Sequence, residues 1–384
     1  MLSQEQEEKF AQFITNKFQN ANDYILETIG KNIKKINNAK GNSKEIQKII
    51  YNNDYEKMIK QLRKISSKNM TYISQMFEII AKDRKKEVKK YYKFRNIQYK
   101  AYEKDEELLK QIKSNLIRNA SLYIDLENGK DVGLVYKNQY KQLKIAYDEI
   151  LNEAATISAI NSENYNENMK KTLKEVARNG LVKKDDSGRI RRIEALVYYN
   201  VLDGIRHSSN EIDERFGKEY GADGIEISVH SNPAPDHADI QGKQFTIEEF
   251  EKLQSGLIAK DIEGNIYNGG DKRPISQYNC FHRIYRVVLE ASQPLYSNKE
   301  LQEIKTENSK GFNFEGKKYT NYEGTQLQRK IESEIRKQKS IKAMAKASEN
   351  QELVNESKKI IDILMKKYKK LGNVSGLEEK YWRM

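Results

Sequence analysis

All four prolines of this 384-residue chain, Pro233, Pro235, Pro274 and Pro294, lie between positions 233 and 294. The stretches on either side, 1–232 and 295–384, lack the residue that most reliably breaks a helix, so long uninterrupted helices are open to them. Irregular and β structure is expected in the window between. That window also concentrates the chain's soft-ligand chemistry. Residues 230–296 hold three of the four histidines, His230, His237 and His282, and the single cysteine, Cys280. The fourth, His207, falls beside Arg206 on a stretch read as helix from Arg191 to Phe216, where it is most simply a surface or satisfied polar residue.

Apolar periodicity supports the helical reading. Ser3-x-x-Gln6 is a capping-box pattern, and Phe10, Phe13, Ile14, Phe18, Ala21, Ile25, Ile29, Ile33 and Ile36 then recur every three or four residues. Gly41-Asn42-Ser43 ends that stripe. A second helix is expected through Ile46, Ile49, Ile50, Met58 and Leu62, and a third from about Thr71 to Arg118. Tyr91, Tyr92, Phe94, Tyr99 and Tyr102 alternate with lysines on this third helix; packing explains Val88, Tyr92, Tyr99 and Tyr102 better than a base-stacking platform does. Asn128-Gly129 signals a β-hairpin near 122–136, followed by helices over 139–158 and 165–178. Within the proline window, Ile225 to His230, Gln241 to Phe245 and Asn279 to Leu289 read as strands, Thr246 opens a helix, and Ile258 to Tyr267 reads as a hairpin. A basic helical hairpin, broken near Ser348-Glu349-Asn350, is expected from Thr325 to Leu371.

Only 37% of the residues are hydrophobic, against 33% charged, which suits narrow-striped helices better than a thick layered core. The predicted fold is therefore mainly α with a small α+β domain. Extended N-terminal helices occupy 1–180. An α+β domain spans 189–320 with its compact β-containing part around 220–296, and basic C-terminal helices follow over 321–384.

Net charge is +13, and the excess is concentrated. Residues 82–104 carry ten Lys/Arg against three Asp/Glu, and residues 327–371 carry thirteen against six. Such clusters suit a polyanion such as double-stranded DNA, or an acidic protein surface; a solvated helix face in a lysine-rich chain is the competing reading. Arg329, Arg336, Lys339 and Lys342 fall close to one helical face and are the expected contact residues. No run of 18 apolar residues occurs, so no membrane span is expected, and the first residues lack the pattern of a secretory signal. A single cysteine fits a reducing compartment.

His230, His237, Cys280 and His282 supply donor types suited to tetrahedral Zn²⁺, with Asp236 as a supporting or additional group. If Cys280 and His282 lie on a strand, their spacing puts both on one face. Four protein ligands would make the zinc structural, with no position left for water. A β-domain with a buried cysteine and backbone-bonded histidines remains the alternative. Asp236, His237, Asn279 and His282 also offer the residue types of an HNH-type nuclease, although their spacing departs from it and a β-rich segment replaces the usual final helix. Nucleotide-binding glycine loops and the serine-hydrolase elbow are absent, and no catalytic residues are assigned.

Three blocks of sequence resemble the minor capsid (minor head) proteins of tailed phages, a group related to the Mu F-like head morphogenesis proteins. The first runs from His230 through Pro235-Asp236-His237 to Gln241-Gly242-Lys243-Gln244-Phe245. The second is Asn279-Cys280-Phe281-His282-Arg283. The third is Tyr322-Glu323-x-Thr325-Gln326-x-Gln328-Arg329, continuing to Ile335-Arg336 and Lys339. The resemblance implies a structural protein of a phage or prophage head, assembled in the bacterial cytoplasm and housed in the virion interior. Its implied partners are the portal, the major capsid protein and packaged DNA. A metal-dependent nuclease and a stand-alone nucleic-acid-binding protein are the alternatives.

Overall fold

The computed structural model describes residues 4–97, 107, 110–114, 132–160, 165–184, 187–277 and 280–384. As expected, the protein is mainly α with small antiparallel sheets.

Helix α1 (Gln4–Asn38) buries the stripe read from its sequence: Ile14, Phe18, Ala21, Ile25, Ile29, Ile33 and Ile36 are all under 7% exposed. A left-handed turn at Lys40 and Gly41 leads to α2 (Ser43–Ile50), capped by the Asn42 side chain. The next break comes at 51–53, where Asn52 accepts a hydrogen bond from the Asp54 amide, and not between Leu62 and Thr71. Met58 and Leu62 therefore belong to one continuous helix, α3 (Asp54–Phe94). On α3, Tyr91 stacks on Tyr220, and Tyr92 meets Phe216 and Tyr220 edge-on, so both rings serve packing.

The Asn128-Gly129 turn lies outside the described residues. A hairpin does follow, with strand β1 (Val132–Tyr136) turning through Lys137 and Asn138, both at positive φ, into β2 (Gln139–Gln142). Residues 139–142, expected to be helical, are thus strand, and α4 begins at Leu143 (Leu143–Ile160). After α5 (Tyr165–Asn179), strands β3 (Leu181–Lys184) and β4 (Ile190–Arg192) complete a sheet ordered β2-β1-β3-β4. Helix α6 (Ile193–Tyr220) packs against both α1 and α3.

The proline window folds around β5 (Gly224–Ile227), which pairs on one side with β6 (Gln244–Thr246) and on the other with β9 (Ile284–Val287). Between them lie α7 (Ile247–Gln254) and the hairpin β7 (Ile258–Lys260) and β8 (Ile266–Asn268). Ile225, Ile227, Ile240, Phe245, Phe250, Leu253, Ala259, Tyr267, Ile275 and Cys280 form a core of their own. Helix α8 (Asn298–Lys310), strands β10 (Phe312–Phe314) and β11 (Lys317–Tyr319), and helices α9 (Asn321–Ala347) and α10 (Gln351–Ser375) follow. The last two form the expected hairpin, turning at Glu349 in the left-handed region.

The largest core runs from Ala11 on α1 to Leu353 on α10 and draws in α3, α4, α5, α6 and α9. Helix α1 comes close to α9 at Gly30, where an added Cβ would stand 2.8 Å from the Met344 carbonyl oxygen. The segment after α10 returns across α9 and α1. Lys380 donates its amide to the Tyr368 hydroxyl, and Lys380 and Arg383 both bridge to Glu8.

Candidate metal centre

The loop that leaves β5 is closed at its base by backbone bonds. The Gly242 amide donates to the Ile227 carbonyl, and the Ile227 amide to the Lys243 carbonyl. Gly242 sits at φ +73°, and a Cβ there would run into Leu301 and Val229, so the closure needs glycine. Inside the loop, the His237 amide bonds the Ala234 carbonyl in a turn that carries His237 inward.

Cys280 and His282 approach from the other side. They are not on a strand: β9 begins at Ile284, and the segment before it is held by the Arg283 amide bonding Ser228 Oγ. The same-face argument from strand alternation therefore does not apply to them, but tertiary structure brings them together with His237 all the same. Cys280 Sγ lies 3.3 Å from His237 Nδ1 and 3.3 Å from His282 Nδ1. One donor atom from each of the three residues falls within 4.8 Å of the others, and all three residues are buried. A zinc ion with Zn–S and Zn–N bonds of about 2.3 and 2.0 Å sets S···N separations near ~3.5 Å.

The far side of each imidazole indicates what the near side can do. His237 Nε2 is 2.8 Å from the Arg273 carbonyl, which can only accept, so that nitrogen carries the proton. His282 Nε2 lies 3.4 Å from Gln241 Oε1, an oxygen that also accepts from the His230 amide, which settles the amide's orientation. In the neutral rings both Nδ1 atoms are then lone pairs aimed at one sulfur. A thiol has a single proton to share between them, whereas a cation satisfies the thiolate and both imidazoles at once. The donor set fits a metal, with outer hydrogen bonds of the kind that hold ligating imidazoles.

Burial disfavours charge throughout this cluster. It pushes His282 down to about 2 and His230 to about 4. It also opposes charge on Cys280 and His237, but their mutual bond wins, lowering the thiol and raising the imidazole. Asp236 stands one step further out. Burial works to raise it, but its bonds from the Arg273 guanidinium and amide outweigh this and hold it at about 2. Asp236 fixes Arg273, and the Arg273 carbonyl fixes His237.

His230, expected as a fourth ligand, is outside the converging set. Its Nδ1 is taken by the Ser231 carbonyl at 3.0 Å beside the left-handed Asn232, and its ring lies against that of His282 with centroids 4.2 Å apart. Three donors leave a fourth position open. His237, Cys280 and His282 all line a cavity of about 740 Å³. All three sequence blocks meet here, because Tyr322, Thr325, Gln326, Gln328 and Arg329 of α9 form the opposite wall. Glu8, Lys380 and Arg383 close another side. Their positions had no sequence signal, and Gln241 was visible only as part of the Gln-Gly-Lys block.

The expected basic contact face is split by the fold. Arg329 lines the cavity, Arg336 donates to the Arg383 carbonyl, and Lys339 donates to the backbone oxygen of Met384. Lys342 is half-buried. The face turns toward the returning C-terminal segment. Exposed lysines of this region are found on α9, at Lys330, Lys339 and Lys346, and in greater number on α10, at Lys358, Lys359, Lys366, Lys369 and Lys370. As for an HNH-type site, Asn279 lies outside the described residues, and His282 sits on no helix.

Among the described residues, no helix is long and apolar enough to cross a membrane. Residues 2–371 match the family model described as phage minor capsid protein 2. No curated protein and no solved structure matches the chain.

Proposed function

The chain belongs to the phage minor capsid protein 2 family, a family of structural capsid proteins, and on that premise we propose that it acts inside the phage head, bound to the portal or the inner capsid surface. The family match over nearly the whole chain carries this reading. Mass spectrometry of purified virions tests it: the protein should be present in few copies and should co-purify with the portal after mild disruption of the head. Virions that lack the protein would overturn the reading.

Within that role, His237, Cys280 and His282 hold a Zn²⁺ ion that ties the loop after β5 to the segment before β9. The support is the pair of imidazole lone pairs aimed at one sulfur. The ion would supply charge neutralisation and a cross-link between two segments with few backbone bonds between them. Elemental analysis of the purified full chain should find one zinc per chain.

A second reading concerns packaged DNA. Lys358, Lys359, Lys366, Lys369 and Lys370 are exposed on α10 and make no ion pair among the described residues, so their charge is available to a polyanion.

A further inference from the structure

The cavity beside the three donors contains a cation with no ion pair among the described residues, although Glu8 lies close enough to feel its charge. Of the cations on its wall, Arg273 is held by Asp236, and Lys380 and Arg383 by Glu8. Arg329 is different. It is half-buried on the wall and, among the described residues, forms no hydrogen bond or ion pair. Its guanidinium rests 5.3 Å from the centroid of the Phe281 ring. A second guanidinium, that of Arg206, stands 4.6 Å from the same centroid.

Arg206 is 2% exposed. Its Nη1 bonds Asp203 at 3.3 Å, but Nε and Nη2 are buried without a partner. Two cations thus share one aromatic ring, and of the two Arg329 is the one that lines the cavity. The carboxylates already at the cavity are committed elsewhere: Glu8 to two cations, Glu5 to Lys9, and Glu378 to Lys380. They also make the cavity hostile to a long polyanion, whose successive charges would meet Glu5 and Glu378. A single carboxylate avoids that repulsion.

We propose that this cavity binds a carboxylate group, gripped by the Arg329 guanidinium and reaching the open coordination position of the His237–Cys280–His282 centre. The second contact rests on the zinc reading above; the first does not. A cavity of about 740 Å³ is larger than a free carboxylate needs and accommodates an acidic side chain with flanking backbone, which points to an acidic segment of a partner polypeptide. The planar fork of arginine suits this ligand because it can donate two parallel hydrogen bonds to one carboxylate.

The test uses the full chain with three probes: ¹³C-labelled acetate, inorganic phosphate, and a capped peptide with one central glutamate. Binding is read by NMR line width and by calorimetry, with and without added zinc. Acetate and the peptide should bind the unaltered protein. Arg329→Gln should weaken both by about tenfold or more, while zinc content and thermal melting stay unchanged. Arg329→Lys, which keeps the charge but loses the fork, should fall between the two. A peptide that binds more tightly than acetate assigns the site to a partner's acidic side chain, and equal binding assigns it to free carboxylates. No binding, binding indifferent to Arg329, or a preference for phosphate would overturn the proposal. Carboxylate binding that needs Arg329 but not zinc would keep the site and remove the metal. One zinc per chain with no carboxylate binding would do the reverse.

Discussion

Glu8 is 1% exposed, yet it stays ionised, because Lys380 and Arg383 reach it from the far end of the chain. Burial alone would raise its pKa; the two cations more than offset this, and the pKa falls below the ordinary glutamate value. A carboxylate lowered in this way contributes stability that is complete above the unfolded-state pKa and is lost as pH falls through the folded one. Glu8→Ala should cost about 1.5–3 kcal/mol at neutral pH, because it removes the short ion pairs of buried Arg383 and half-buried Lys380 and leaves them only the longer contacts to Glu332 and Glu378. The difference between Glu8→Gln and the unaltered protein in urea melts should shrink steadily on acidification. A gap that stays constant with pH would mean the charge contributes nothing. At the metal centre, Cys280→Ser should remove zinc and lower the melting temperature, and the same protein with zinc stripped by a chelator should melt at a similar point. Zinc content unaffected by the substitution would count against the site. Cys280, His237 and His282 were legible in the sequence because their residue types are scarce in this chain. Arg206, Arg329 and Glu8 were not, because in a chain with 69 basic and 56 acidic residues the identity of one more carries no information. His230 misled for another reason: its ring direction depends on the Ser231 carbonyl and a left-handed Asn232, neither of which has a spacing signature.

Among the elements, α1 was the most readable, because a stripe repeated over its whole length allows one periodicity only. What its sequence did not reveal was which helix would cover that stripe. Gly30 marks the answer. A Cβ there would meet the Met344 backbone oxygen at 2.8 Å and Ala347 Cβ at 3.1 Å, so α1 and α9 pack backbone against backbone. Helix propensity favours alanine over glycine by about 1 kcal/mol, but a backbone carbonyl in the last turn of α9, bonded to the Ser348 amide, cannot step aside as a flexible side chain would. Gly30→Ala should therefore destabilise the protein by about 1–3 kcal/mol in urea unfolding, and a neutral or stabilising result would show that the two helices are free to separate. The misread elements share a cause. Gln139–Gln142 is polar and became strand because β1 lies beside it across a two-residue turn, while β1 itself is held on its other edge by the distant β3. Cys280 to Arg283 has strand-like composition, but pairing to β5 starts only at Ile284. In each case the outcome was set by a neighbour that local sequence does not name.

Across the whole molecule, one core joins Ala11 to Leu353, so the N-terminal helices bury their stripes partly against α6 and α9. A fragment of residues 1–180 lacks both covering helices. It should be helical by circular dichroism yet melt without a sharp transition, and a cooperative two-state melt would show that it needs neither. The same packing redistributes the charge. Of the two basic segments, 327–371 turns Arg329 to the cavity and Arg336 to the Arg383 carbonyl, so most of its exposed lysines are those of α10. If packaged DNA is the partner, replacing Lys359, Lys366, Lys369 and Lys370 with Gln should weaken binding alike for all sequences. It should also flatten the salt dependence by about 0.9 in log–log slope for each phosphate that is no longer neutralised. Substituting Arg336 instead should lower stability and leave that slope almost unchanged, since its guanidinium is half-buried and bonded to the Arg383 carbonyl. If the α10 variant keeps its DNA affinity but is no longer incorporated into virions, the surface is meeting an acidic protein. If it is normal in both assays, the lysines are only a solvated face.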